Sequence, residues 1–385
     1  MNSFEFYNPT KIYFGEGAIK NLSKELGKYG PNVLLVYGGG SIKNNGIYND
    51  VMQQMSENSK TVYELSGVTP NPRTDKVYEG IKLCKENSID LILSVGGGSS
   101  IDCAKAIAVG AKTDKDFWQA FYLDQEECFD AIPLASVLTL AGTGSEMDWG
   151  SVISNIETKV KTAYHTIYMQ PQFSILDPTY TYSLPKNQLI NGTVDMMSHI
   201  FETYFSEPNV SNVSDDLSEA LLKNIIENIT VAVENQKDSV ARSNLMWDST
   251  LAINGLTALG KEEDWEVHQI EHQVSAFYDI PHGAGLAIIT PHYMKYTYKY
   301  GLEKYVRFAK NVWHVDPIGK TDDEIALEGI EKTAQFFKQI GAPSTLSHFG
   351  IGEEKLGEIA KTVNLGGGYK ILTAQDVENI LKAAL

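Results

Sequence analysis

The stretch Ile89–Ser100, IDLILSVGGGSS, joins a short apolar run to three glycines and two serines. Its apolar part suits a buried β-strand, because it is short and rich in branched aliphatic side chains. The glycines allow a tight turn, and the residues that follow, Ile101–Ala111, have helical periodicity. A strand, a glycine turn and a helix in this order are typical of an open parallel sheet with helices on both faces.

The same order recurs in the first half of the chain, where we predict strands at Val33–Tyr37, Ile89–Val95, Ile132–Leu138 and Phe173–Leu176. After Leu176 the chain shows helical periodicity and almost no strand-like runs. Helices are predicted over Asn187–Phe205, Asp215–Asn235, Ala241–Leu259, His268–Phe277, Leu302–Val312, Asp322–Ile340 and Gln375–Ala384. We therefore predict an α/β domain with a Rossmann-like parallel sheet over residues 1–184 and an all-helical domain over residues 185–385.

The composition is that of a soluble globular protein, and it excludes several functions. The 385 residues include 32 basic and 49 acidic side chains, and the net charge of −17 argues against nucleic-acid binding, which requires clustered positive charge. No apolar run approaches the ~20 residues of a membrane-spanning helix. The three cysteines form no CxxC pair, and the start of the chain lacks the pattern of a secretory signal. We expect a cytoplasmic protein that does not bind membranes.

Three glycine-containing loops follow predicted strands, at Gly38–Ser41, Gly96–Ser100 and Thr139–Glu146. Parallel strands end at one edge of their sheet, and free N–H groups at a following helix favour a pyrophosphate there. The loops therefore indicate a dinucleotide site in the first domain. The loops at Gly38–Ser41 and Gly96–Ser100 do not match GxGxxG or GxxxxGK[ST], so a tight turn without a ligand remains the alternative for each. For Thr139–Glu146 the alternative is a polar loop that joins two strands.

Histidines and one carboxylate recur at helical spacing in the second half. Asp195 and His199 are four residues apart, as are His268 and His272, so each pair lies on one helical face. His282 follows after a break at Pro281. One carboxylate with several imidazoles suits a divalent ion such as Fe²⁺ or Zn²⁺. The motif HExxH is absent, and hydrogen-bonded structural histidines are the alternative.

These motifs together resemble the iron-containing (group III) alcohol dehydrogenases. The resemblance is carried, in order along the chain, by GGGS at Gly96–Ser99, AGTGSE at Ala141–Glu146, DxxxH at Asp195–His199 and HxxxH…PHG at His268–Gly283. Similarity to the butanol dehydrogenase branch is carried by YELSGVTPNPR at Tyr63–Arg73, GSEMD at Gly144–Asp148 and LDPTYTYSLPKNQ at Leu176–Gln188. The resemblance implies a dehydroquinate synthase-like architecture, with a dinucleotide-binding first domain and a second domain that binds metal and substrate.

The resemblance also implies roles for individual residues. It implies one divalent ion, with Fe²⁺ expected and Zn²⁺ as the alternative, held by Asp195, His199, His268 and His282. It implies that His272 lies by the nicotinamide, where it is the candidate for catalytic proton transfer. Cofactor contacts are implied for Gly39, Gly40, Ser41, Asn71, Gly97, Gly98, Ser99, Asp102, Thr139, Ser145 and Lys161.

The implied reaction is hydride transfer between a nicotinamide and a short-chain primary alcohol or aldehyde, such as butanol or butanal, with the metal polarising the substrate oxygen. Members that prefer NAD carry an Asp after the first strand, where this chain has Gly39. Because loss of the carboxylate removes repulsion toward a 2′-phosphate, we expect NADP(H) to be preferred over NAD(H). An apolar substrate pocket is expected from Trp149, Trp265 and Phe277.

Two other classes of protein stay open. One is a dehydroquinate synthase-like or glycerol dehydrogenase-like enzyme on the same architecture, and the other is a non-catalytic metal- or nucleotide-binding protein. A dehydroquinate synthase-like pocket needs a basic cluster for its phosphorylated acidic substrate, whereas the residues near His268 are mainly acidic. The resemblance further implies a homodimer, whose other partners are small molecules only.

Overall fold

The computed structural model describes residues 1–385, and the chain divides into two compact units. One unit is Tyr7–Leu184, and the other is Pro185–Leu385 together with Met1–Phe6. The first six residues therefore group with the helical unit, although the sequence places them in the α/β domain. The amide of Asn2 donates a hydrogen bond to the carbonyl of Gly260 (2.9 Å), which attaches this segment to the helical unit.

A parallel sheet of six strands forms the centre of the α/β unit. Its strands are β1 (Lys11–Phe14), β2 (Asn32–Tyr37), β3 (Thr61–Leu65), β4 (Leu91–Gly96), β5 (Leu134–Leu138) and β8 (Phe173–Leu176), in the spatial order β1-β8-β5-β4-β2-β3. Strands β6 (Gly150–Asn155) and β7 (Val160–His165) form a separate antiparallel hairpin. The predicted fold class is confirmed. The sequence missed β1 and β3 because these edge strands are short and partly exposed, without a continuous apolar run.

Side chains alternate along the central strands and supply two separate cores. On β2, Leu34 and Val36 pack into one apolar cluster, whereas Val33 and Leu35 pack into a second. Helices cover the sheet, which explains why its central strands are buried on both faces. The helices of this unit are α1 (Asn21–Leu26), α2 (Ser41–Asn44), α3 (Ile47–Glu57), α4 (Thr74–Asn87) and α5 (Gly98–Gly110).

The register of the strands aligns the loops that the sequence singles out. Tyr37 at the end of β2 is paired with Val95 on β4, and Gly96 is paired with Leu138 at the end of β5. The chain therefore leaves β2, β4 and β5 at one edge of the sheet, with a glycine-containing loop after each strand.

The second unit is built of helices. They are α6 (Lys186–Tyr204), α7 (Val213–Glu234), α8 (Ser239–Ile253), α9 (Glu266–Tyr278), α10 (His282–Thr297), α11 (Leu302–Asn311), α12 (Asp322–Ile340), α13 (Leu356–Thr362) and α14 (Ala374–Ala383). The prediction placed the end of α8 six residues too late, because Gly255 in a left-handed conformation ends the helical path. It missed α10, which contains Pro291, a residue that normally interrupts a helix. None of the fourteen α-helices combines the length and apolar character needed to cross a membrane.

A buried carboxylate on α1 gives a testable link between pH and stability. Glu25 is 2% exposed and accepts hydrogen bonds from Lys11, Tyr13 and Lys28. Burial alone would raise the pKa of Glu25, but these hydrogen bonds outweigh burial and lower it from 4.5 to about 2. A lowered pKa in the folded state means that this stabilisation is present above the unfolded pKa and is lost as the pH falls from about 4.5 to about 2.

We expect Glu25→Gln to lower the free energy of unfolding by ~1–3 kcal/mol at neutral pH. The loss is not larger because solvent screens the ion pairs with the exposed lysine partners. The difference from the unmodified protein should shrink as the pH falls through that window. Urea unfolding at neutral pH and at about pH 3 measures both effects. Glu57→Gln, at an exposed carboxylate on α3, is the control. An equal loss at both pH values would contradict the assignment.

Candidate active site

Three helices of the second unit bring the predicted metal-binding residues together. Asp195 and His199 lie one turn apart on α6, and His268 lies on α9. His282 is the first residue of α10 and follows Pro281, whose fixed backbone angle suits the start of a helix. Helix α10 packs against both α6 and α9, so the four side chains meet although 87 residues separate the first from the last in the sequence.

The donor atoms of these four residues have the spacing of a metal coordination shell. Oδ1 of Asp195 lies 3.4 Å from Nε2 of His199, 3.7 Å from Nε2 of His268 and 3.5 Å from Nε2 of His282. Ligands about 2.1 Å from an ion at the centre of a tetrahedron lie about 3.4 Å from one another. Oδ1 of Asp195 and Nε2 of His268 are buried without a hydrogen-bond partner, which would be costly without an ion. The residues present therefore fit a divalent cation.

The electrostatics of the cluster favour a cation between these groups. Burial alone would raise the pKa of Asp195, but the neighbouring His199, His268 and His282 outweigh burial and hold it below its usual value. Burial lowers the pKa of His199 to about 3, so this imidazole is neutral. Burial also acts to lower the pKa of His268, but interactions with the carboxylates of Asp195 and Glu202 raise it to about 9.

Two further carboxylates contact the outer nitrogens of these imidazoles. Nδ1 of His268 lies 2.8 Å from Oε1 of Glu202, and Nδ1 of His282 is hydrogen-bonded to Oε2 of Glu271. The motifs alone give neither glutamate a role. The available signal is the general rule that a metal-binding histidine donates its second N–H to a carboxylate or carbonyl.

His272 and Trp265 lie beside the same cluster. His272 is buried on α9, and its ring centre is 5.4 Å from that of His282 and 6.3 Å from that of His268. The ring of Trp265 is 6.0 Å from that of His199 and 5.2 Å from that of His268. Trp265 thus supplies apolar surface next to the cluster. Of the other predicted pocket residues, Phe277 lies on α9 and Trp149 belongs to the α/β unit.

In the α/β unit, the glycine backbone of the loop after β4 packs closely against side chains of the loop after β5. A Cβ atom at Gly98 would lie 2.3 Å from the side chain of Thr143, and one at Gly97 would lie 3.0 Å from Cβ of Leu140. Helix α5 begins at Gly98, and Ser99 is its second residue, so its first N–H groups point out of this loop. The amide of Thr139 donates to the carbonyl of Gly96 (2.9 Å), which joins the second and third loops. The arrangement suits a pyrophosphate.

Asp102 has a supporting place in this region. Its Oδ1 accepts a hydrogen bond from Oγ of Ser145 (2.6 Å), and its Oδ2 accepts one from the amide of Val152 (2.9 Å). Burial raises the pKa of Asp102 to about 6. The two carboxylate oxygens thus hold the Ser145 loop and strand β6, while the Asp102 side chain stays partly exposed.

The remaining predicted cofactor residues fall into two groups. Lys161 is buried on β7 and is paired with Ser154, whose amide contacts the segment that carries Asn71. Gly39, Gly40 and Ser41 form the turn between β2 and α2. The Gly39 position is open, because a Cβ atom there would meet nothing within 4 Å.

Comparison with known proteins supports one family over nearly the whole chain. Residues 9–178 match the family model for iron-containing alcohol dehydrogenases, and residues 189–385 match the model for the C-terminal part of the Fe-containing alcohol dehydrogenase family. The NADH-dependent butanol dehydrogenase A of Clostridium acetobutylicum is 48% identical, with 99% of each chain covered. The NADPH-dependent aldehyde reductase YqhD of Escherichia coli is 35% identical over 98% of this chain and 97% of its own.

A solved structure agrees with this result. The crystal structure of NADH-dependent butanol dehydrogenase A from Thermotoga maritima is 39% identical and has a TM-score of 0.95, covering 100% of this chain and 99% of the other. Together with these relatives, the fold and the site define the class of the protein. It is a nicotinamide-dependent, metal-binding dehydrogenase built of an α/β unit and a helical unit. The chain belongs to the iron-containing alcohol dehydrogenase family, in its butanol dehydrogenase branch.

Proposed function

We propose that this protein is a metal-dependent, NAD(P)-linked alcohol dehydrogenase and aldehyde reductase that acts on short-chain primary alcohols and aldehydes such as butanol and butanal. The proposal rests mainly on the convergence of one carboxylate with three imidazoles. Their Nε2 atoms lie 3.4 to 3.7 Å from Oδ1 of Asp195. The names of the relatives, butanol dehydrogenases and an aldehyde reductase, support the same substrate class.

Residues of the helical unit would bind the metal, and residues of the α/β unit would bind the dinucleotide. A bound divalent ion, with Fe²⁺ expected, would supply Lewis-acid polarisation of the substrate oxygen, and a bound nicotinamide would supply or take up the hydride. Asp195, His199, His268 and His282 would hold the ion, and the loop at Gly97–Ser99 would bind the pyrophosphate. His272, buried beside the cluster, is our candidate for moving the substrate proton. Trp265 would exclude water from the reacting oxygen.

The direct test is turnover by anaerobically prepared protein loaded with Fe²⁺ or with Zn²⁺. We expect oxidation of the reduced nicotinamide with butanal and the reverse reaction with butanol. Glycerol and a dehydroquinate synthase substrate belong in the same panel, because they represent the alternative enzymes of this architecture. Metal-loaded protein that binds nicotinamide but turns over no alcohol or aldehyde would overturn the proposal in favour of a non-catalytic binding protein.

For the cofactor, we propose a preference for NADP(H), which rests on the absence of a carboxylate at Gly39. Ser41 at the start of α2 and Lys43 are the candidates for contacting a 2′-phosphate. Lys43 has a competing partner, since its Nζ lies 3.2 Å from Oε2 of Glu64. The relatives also differ, because the Clostridium acetobutylicum protein is named NADH-dependent and the Escherichia coli protein NADPH-dependent.

We expect Gly39→Asp to lower kcat/KM for NADPH by ~10–100-fold, because it places a negative charge where the 2′-phosphate would lie. The fold should tolerate the change, since the position is open and Gly39 is not in a left-handed conformation. Gly39→Asn is the matched control and should leave the ratio of NADPH to NADH activity nearly unchanged. Stronger activity of the unmodified enzyme with NADH than with NADPH would refute the preference.

We also propose that the protein works as a cytoplasmic homodimer. This proposal rests on its family resemblance. Light scattering of the purified protein measures the mass in solution, and a mass close to 42.6 kDa would show a monomer instead.

A further inference from the structure

Two of the four candidate metal ligands have a buried carboxylate on the ring nitrogen that faces away from Asp195. Glu202, near the end of α6, lies 2.8 Å from Nδ1 of His268, and it also accepts a hydrogen bond from the amide of His268 (3.0 Å). Glu271 on α9 is hydrogen-bonded to Nδ1 of His282. Nδ1 of His199, in contrast, has no hydrogen-bond partner. The support is therefore specific to His268 and His282.

These contacts determine which nitrogen of each ring is available to an ion. An ionised carboxylate only accepts hydrogen bonds, so the Nδ1 atom that it contacts must carry the proton. A neutral imidazole with a proton on Nδ1 has its lone pair on Nε2. In both His268 and His282, Nε2 is the nitrogen that faces Oδ1 of Asp195, at 3.7 and 3.5 Å.

Glu271 is itself held in place. It is fully buried, and its Oε1 accepts a hydrogen bond from Oγ of Ser275 one turn later on α9. Gly285 on α10 provides the space, because a Cβ atom there would lie 2.8 Å from Cγ and from Oε1 of Glu271. His282 needs this support more than its neighbours, since its side chain is 24% exposed whereas those of His199 and His268 are 6% exposed.

We propose that Glu271 is a positioning residue that fixes the tautomer and orientation of His282 and thereby strengthens binding of the divalent ion, and that Glu202 does the same for His268. The inference rests on the proposed metal site and adds two residues that do not themselves contact the ion. Glu271, His272 and His282 also lie close enough to form a metal-binding group of their own. We assign Glu271 to ring positioning because its two oxygens are already bonded to His282 and Ser275.

The test measures zinc affinity by competition with a chelating dye, in the absence of substrate and cofactor. We expect Glu271→Gln to weaken Zn²⁺ binding by ~10–100-fold while the protein still binds one ion per chain. The control is Glu266→Gln on the same helix, which removes a fully buried carboxylate whose hydrogen bonds come from Leu372 and Tyr293 and not from a histidine. This control should bind Zn²⁺ as the unmodified protein does.

A double substitution separates positioning from a general effect on the fold. If Glu271 acts through His282, adding Glu271→Gln to His282→Ala should weaken Zn²⁺ binding no further than His282→Ala alone. Additive losses, unchanged affinity in Glu271→Gln, or an equal loss in Glu266→Gln would each overturn the proposal, as would two ions per chain in the unmodified protein. Because no turnover is measured, a metal-binding protein without dehydrogenase activity would refute only the proposed function. Failure of the unmodified protein to bind Zn²⁺ or Fe²⁺ would refute both.

Discussion

His268→Ala should abolish both metal retention and turnover. The substitution removes one of three imidazoles whose Nε2 atoms surround Oδ1 of Asp195, and it leaves the buried carboxylate of Glu202 without its histidine partner. Two imidazoles and one carboxylate would remain, with a gap on the side of α9. Because polarisation of the substrate oxygen depends on the ion, we expect kcat to fall by ~1,000-fold or more. Elemental analysis of Fe²⁺-loaded protein, together with butanal reduction, measures both losses.

His272→Ala is the matched control for this experiment. His272 lies one turn later on the same helix and is buried to the same extent, but it is not one of the proposed ligands. It should therefore retain one ion per chain and lose turnover through the proton path alone. His282→Ala adds a variant at a more exposed ligand, for which unfolding is a smaller concern. Full metal content and full turnover in either the His268 or the His282 variant would refute the ligand assignment.

The fold was predictable from sequence where burial produces a strong pattern. The central strands β2, β4 and β5 are buried and largely apolar because helices cover both faces, and the predicted segments for these strands overlap the observed ones. Helix α12 was predicted from its helical periodicity at its observed bounds, and the structure shows a capping box of Thr321 and Glu324 at its start and Gly341 at its end. Edge strands and α10 lack such signals, because their form depends on neighbours that are distant in sequence.

The candidate site was predictable for a different reason. Spacing alone places Asp195 with His199 and His268 with His272, but only tertiary packing unites the two pairs with His282. Sequence spacing also does not show which residue contacts Nδ1 of a histidine and which one faces Nε2. From the sequence alone, Glu271 is therefore only one residue of an acidic stretch. Likewise, the sequence places Asp102 after the glycine loop, and only the structure shows that its oxygens accept hydrogen bonds from Ser145 and Val152.

Gly283→Ala should damage the metal site without removing any proposed ligand. A Cβ atom at residue 283 would lie 2.1 Å from the carbonyl oxygen of Asn191 and 2.6 Å from its carbonyl carbon. Both atoms belong to the backbone of α6, one turn before Asp195, so neither can turn aside as a flexible side chain would. Relief requires α10 to move by about 1 Å, because nonbonded carbon and oxygen atoms do not approach closer than about 3 Å. His282, the preceding residue, must move with it.

The expected result is a coupled loss of stability and metal affinity. Overpacking of this kind costs ~1–3 kcal/mol, and a displacement of about 1 Å at a reacting centre reduces turnover by ~100-fold. Gly357→Ala is a close control, since Gly357 is also the second residue of its helix and its nearest contact would be at an ordinary 3.4 Å. Thermal unfolding and Zn²⁺ competition on both variants make the comparison. Unchanged Zn²⁺ affinity in Gly283→Ala would contradict this prediction. It would mean that the steric overlap is relieved without moving His282, so that the backbone contact between α6 and α10 does not determine the position of this residue.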